Sequence, residues 1–240
     1  MGNDNEEAPS SSDIDSPGST GKDGFATTIF DSHSDLTLIV GGHAGVNDPG
    51  KRLLVCSRAL ARASPVFDSM LFGSLAESQR SAAHEWIVRL PEDALEVMEL
   101  FCYITHGLVR KVPRVVTQDQ LVQLTLLTHY YDATLALAPW VRQWLAAIPL
   151  PVADDEMQMF QILWTSYELG QRRTFESTAR RLVLDCPMST ERFELEESLG
   201  GHLSEIISRV DMIRTETVRS MLELFRELTD VLVVVDEKPR

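Results

Sequence analysis

Six histidines, His33, His43, His84, His106, His129 and His202, are the residues of this chain best suited to hold a metal or move a proton near neutral pH. None stands at metal-ligand spacing from another histidine or from Cys56, Cys102 or Cys186, so the pattern does not support a zinc site. The acidic groups Glu92-Asp93, Asp154-Asp155-Glu156 and Glu194-Leu195-Glu196-Glu197 have the composition of general acid–base sites. Helix starts and solvated faces account for them equally well. There is no Gly-x-Ser-x-Gly elbow, and no cysteine has an identifiable electropositive setting. The glycines between Gly41 and Gly50 invite a phosphate-loop reading. They lack both the dinucleotide spacing and a closing Gly-Lys-Ser/Thr. No enzyme, no metal and no cofactor is expected, and function is sought on surfaces.

The elements that carry those surfaces follow from composition and periodicity. The chain has 240 residues, 44% of them hydrophobic, enough for one large domain or two small ones with a core. A net charge of −14 argues against nucleic acid or an anionic membrane as partner, because binding a polyanion needs clustered Lys and Arg. Three widely spaced cysteines fit reduced thiols, and no segment resembles a leader or a membrane span. Cytoplasm or nucleus is the expected compartment.

Residues 1–24 hold six acids against Lys22 and almost nothing apolar, so they read as a disordered acidic tail. Two apolar runs, 36–40 and 52–56, are separated by the Gly-rich stretch and predict a hairpin with a long loop. Ser57 and Ser64-Pro65 predict the starts of two short helices, the first burying Leu60 and Ala63, the second carrying Val66, Phe67, Met70 and Leu71. A third strand covers 86–90. Pro91 is expected to open a helix with Ala94, Val97, Met98, Phe101 and Ile104 on one face, closed by Gly107. Thr117 with Gln120 predicts a capping box for the next helix, and Pro139 begins another.

Pro149-Leu150-Pro151 is read as a domain boundary. Beyond it, helices are expected over 154–170 and up to Cys186, then a linker over 187–202. The segment 203–232 is a long amphipathic helix, followed by a flexible end at 233–240. Its apolar positions Leu203, Ile206, Val210, Ile213, Thr217, Met221, Leu224, Leu228 and Val231 recur every 3.5 residues on average, a coiled-coil period. Docking on the preceding helix pair is the expected arrangement, with an intermolecular coil as the alternative.

Val55-Cys56-Ser57-Arg58-Ala59-Leu60-Ala61-Arg62-Ala63-Ser64-Pro65-Val66-Phe67 closely resembles the signature segment of BTB/POZ domains. Ser34-Asp35-Leu36-Thr37-Leu38-Ile39-Val40 resembles their opening strand, and Val88-Arg89-Leu90-Pro91-Glu92-Asp93 their later strand and helix start. Ile104-Thr105-His106-Gly107, Lys111-Val112-Pro113-Arg114 and Tyr130-Tyr131-Asp132 are most similar to the BTB proteins of filamentous fungi. The resemblance implies an α+β fold over 25–148, a small mixed sheet with helices packed around it, followed by an all-helical extension over 149–186.

It also implies a non-catalytic interaction module that forms a homodimer through the opening strand region, where Phe25, Ile29, Phe30 and Asp35 are the candidate contacts. Many animal members have His-Lys in place of Cys56-Ser57, and in some that Lys joins the residue matching Asp35 in a charged interface pocket. That pocket does not carry over. Leu75-Ala76-Glu77 resembles the hydrophobic-x-Glu element through which some members bind cullin-3, with Leu75 as anchor and Glu77 as its support. Two functions follow as expectations: an adaptor bringing an unknown substrate or regulatory protein to a cullin-3 RING ubiquitin ligase, or a homo-oligomeric scaffold or transcriptional cofactor with no ligase role. Arg110, Lys111 and Arg114, the one basic cluster, could meet an acidic partner.

Overall fold

The strand Leu36–Val40 (β2) is buried at all five positions, so both faces of the sheet are covered there. In the computed structural model, residues 26–42, 50–74, 85–149, 155–185 and 204–236 are described. Thr27–Ile29 (β1), Lys51–Val55 (β3) and Ile87–Leu90 (β4) complete a four-stranded sheet of order β1-β3-β2-β4. β2 and β3 are antiparallel, pairing Leu36 with Val55 and Val40 with Lys51, as the hairpin reading required. β4 runs parallel to β2, and β1 parallel to β3, so the sheet is mixed. Gly50 enters β3 at φ +79°, where an added Cβ would lie 2.8 Å from the Val40 carbonyl oxygen, so only glycine fits.

Two compact units form. The described residues up to Leu108, apart from Ala63–Pro65, make the first, and Ala63–Pro65 with the described residues from Val109 onward make the second. The division falls at Leu108; the expected boundary at Pro149-Leu150-Pro151 lies partly outside the described residues. The physical reason is in the second unit's core, which draws the helix beginning at Gln118 together with those beyond residue 155.

In the first unit, Ser57–Ala63 (α1) and Pro65–Phe72 (α2) follow β3 as the two short helices. Leu60, Phe67 and Leu71 are buried, and Phe67 stacks on Phe101 of Leu95–Thr105 (α3), with ring centroids 6.2 Å apart. Pro91 does not open α3. Residues 91–93 form a turn, with the Asp93 amide on the Leu90 carbonyl, and the helix begins only after Ala94. Gly107 closes it at φ +69°, as expected.

In the second unit, Thr117 and Gln120 form the expected capping box on Gln118–Tyr130 (α4), each side chain accepting from the other's backbone amide. A 3₁₀ turn, Thr134–Leu137, precedes Ala138–Ala147 (α5), which carries Pro139 in its first turn. Glu156–Glu168 (α6) is capped by the Asp155 carboxylate, which accepts the Gln158 amide at 2.9 Å. Arg172–Asp185 (α7) and Ser204–Asp236 (α8) follow. Val122 of α4, Met159, Phe160, Leu163 and Trp164 of α6, Leu182 of α7, and Ile207 and Val210 of α8 make one buried cluster.

Docking of α8 on the preceding helices therefore holds for its first two turns. Ile213, Met221, Leu224, Leu228 and Val231, expected on the docked seam, are all exposed. The tail 1–24, the loop 43–49, the segment 187–202 and the last four residues lie outside the described residues.

Candidate interaction surfaces

Of the candidate dimer residues, Ile29, Phe30 and Asp35 sit around the junction of β3 and α1, and that junction is built from polar groups the chain cannot leave unpaired. A helix begins with amides that have no intrahelical acceptor. The Cys56 carbonyl accepts the Ala59 amide, so Cys56 rather than Ser57 occupies the cap position. The missing acceptor comes from β2. The Asp35 carboxylate takes the Ser57 amide at 2.7 Å and the Ser57 hydroxyl at 2.6 Å. Asp35, read as a possible interface residue, is bound within its own chain to Ser57, and its charge faces the positive end of α1.

The Cys56 amide finds its partner on α3. It donates to His106 Nε2 at 2.9 Å, so the ring proton lies on Nδ1, which donates to the Cys102 carbonyl at 2.9 Å. Burial lowers the His106 pKa, opposed by the bond to Cys102 and by the charge of Asp31, and assisted by Arg62. The neutral ring is thus a structural acceptor, since a proton on Nε2 would evict the Cys56 amide. Sequence reasoning weighed His106 as a metal or proton-transfer candidate and as part of a motif, not as a structural acceptor; its place at the end of a core helix was the available signal. Burial also pushes the neighbouring Cys102 thiol well up, which keeps it inert.

Phe30, read as an interface residue, is 5% exposed and packs on the rings of Tyr103 and His106. Ile29 is 65% exposed, on the edge strand that the sequence reading did not anticipate. That strand is three residues long because little else holds it: Thr28 donates to Glu99, which also receives Lys51 Nζ at 2.6 Å. On the other side of the sheet, Glu85 accepts from Arg52 and from Thr37, and these two bonds, the arginine's first, hold its carboxyl below the usual range. Phe25, Leu75 and Glu77 lie outside the described residues.

An open depression of about 560 Å³ runs along α1 and α2, lined by Arg58, Ala61, Arg62, Asp68 and Phe72. Its mixed charge and openness suit a polypeptide rather than an enclosed small molecule. In the second unit Arg110, Lys111 and Arg114 are exposed on a loop whose backbone is pinned from α5: Trp144 Nε1 donates to the Pro113 carbonyl and the Gln143 amide to that of Arg114, both at 2.9 Å. Among the described residues no three His, Cys, Asp or Glu side chains gather as metal ligands, and no helix is long and apolar enough to cross a membrane. Compared with protein-family models and with curated proteins, the chain matches none.

Proposed function

We propose that the protein is a non-catalytic interaction module of the BTB/POZ type that associates with itself. The observation that carries this reading is the strand, short helix, short helix run over residues 51–72, which places the signature-like segment on β3, α1 and α2 beside a mixed sheet. Such a module works through preformed surfaces, with most of the binding energy in a few buried side chains. Ile29, exposed on its edge strand, is the residue of the expected dimer region placed to reach a partner.

A second reading, the ligase adaptor, is favoured by where Leu75-Ala76-Glu77 stands, three residues after the end of α2 at Phe72. Calorimetry of the full chain against the N-terminal domain of the host's cullin-3 tests it. Sub-micromolar binding that Leu75→Asp and Glu77→Lys each abolish, at unchanged melting, makes the protein an adaptor. An absence of heat from folded protein leaves a self-associating scaffold or cofactor.

A further inference from the structure

The helix α8 is 33 residues, about 50 Å, long, yet only its first turns are embedded in the second unit. Ile207 is 4% exposed and Val210 6%, and the Arg214 side chain reaches back to the Val183 carbonyl at 3.3 Å. Past that point the same register crosses two charged residues and then turns apolar again. From Ile207, steps of four and three lead through Asp211 and Arg214 to Val218, Met221, Phe225, Leu228 and Leu232. Those last five are each more than half exposed, Phe225 at 64% and Leu232 at 67%, and so are their neighbours Leu222, Leu224 and Val231. Together they present on the order of 800 Å² of apolar side chain, more than a monomer usually leaves in one patch and about what one partner brings to a stable complex.

We propose that this outer half of α8 is covered by the same face of a second copy of the chain. This deepens the self-association reading by naming a surface for it. Three features choose a second copy. The spacing over 218–232 is strictly heptad, so a matching helix wound around it in a left-handed supercoil stays in contact along its whole length. The charge is locally balanced, with Arg219 and Arg226 against Glu223, Glu227 and Asp230, on a chain of net charge −14, so copies meet here with little of the repulsion felt elsewhere. The flanks are also free of charge. With Val218, Met221, Phe225, Leu228 and Leu232 in the seam, the positions beside it are Leu222, Leu224, Thr229 and Val231, while Arg219, Glu223, Arg226, Glu227 and Asp230 lie on the outer side, so no like charges face each other across the pair.

Sedimentation equilibrium of the full chain tests this with wild type, Phe225→Asp/Leu228→Asp and Ile29→Asp. Wild type is expected at a multiple of 26.9 kDa, with the double variant at half the wild-type mass. Phe225→Ala/Leu228→Ala, which preserves helix propensity, should give the same halving if the aspartates perturb folding. A double variant that keeps the wild-type mass while Ile29→Asp halves it overturns the assignment to α8 and leaves the domain reading standing. A monomeric wild type overturns both.

Discussion

Asp35 and Ser57 are bound to each other twice, through the serine amide at 2.7 Å and its hydroxyl at 2.6 Å, across 22 residues of chain. This pair fixes where α1 begins relative to β2. Asp35→Ala removes both acceptors and leaves a buried amide and hydroxyl without them. It is expected to cost about 1–2 kcal/mol in urea unfolding, whereas Ser57→Ala, which keeps the amide bond, should cost less. Equal costs would show that the hydroxyl carries the whole interaction.

His106 predicts a pH dependence with a definite sign. Burial holds its folded-state pKa below the ordinary 6.5, so the unfolded chain binds the proton more readily. Its contribution to stability is present above pH 6.5 and is lost as the pH falls from there toward the folded-state value. Urea unfolding of wild type and His106→Ala between pH 5 and 8 should show the variant less stable by about 1–3 kcal/mol at pH 8, from the orphaned Cys56 amide. The difference should shrink on acidification, and a difference constant with pH would remove His106 as its source.

Glu99 ties the short edge strand to its neighbour, holding Thr28 of β1 and Lys51 of β3. In Glu99→Ala the amides of β1 that bond to β3 should exchange with solvent faster, while those of β2, at the centre of the sheet, change little. Hydrogen exchange read strand by strand checks this.

Leu163 is wholly buried in the second unit's core, and Leu135, in the same unit, is 90% exposed. Leu163→Ala is expected to cost about 2–5 kcal/mol and Leu135→Ala no more than about 0.5 kcal/mol. Chemical denaturation of the two variants compares a filled cavity with a solvated surface.

Much of the architecture could be read from local pattern, because local physics decides it. The hairpin register, the two short helices, the Thr117–Gln120 box, the Gly107 cap and the Asp155 start each depend on residues close in sequence. Burial periodicity placed Met98 and Phe101 on the core face of α3 for the same reason. Contacts between distant segments could not be read this way. That Asp35 caps α1, that His106 accepts the Cys56 amide, and that Phe30 turns inward onto Tyr103 all depend on which strand and helix come together. β1 exists only because β3 offers it a parallel edge, a pairing with no local sequence signature. The long helix shows the division most directly. Its 3.5-residue period is a property of the sequence alone, and says that one face is largely apolar, with Thr217 in its middle. Where the rest of the unit stops covering that face is decided by the reach of α6 and α7, whose cluster takes in Ile207 and Val210 and leaves Phe225 and Leu228 in solvent.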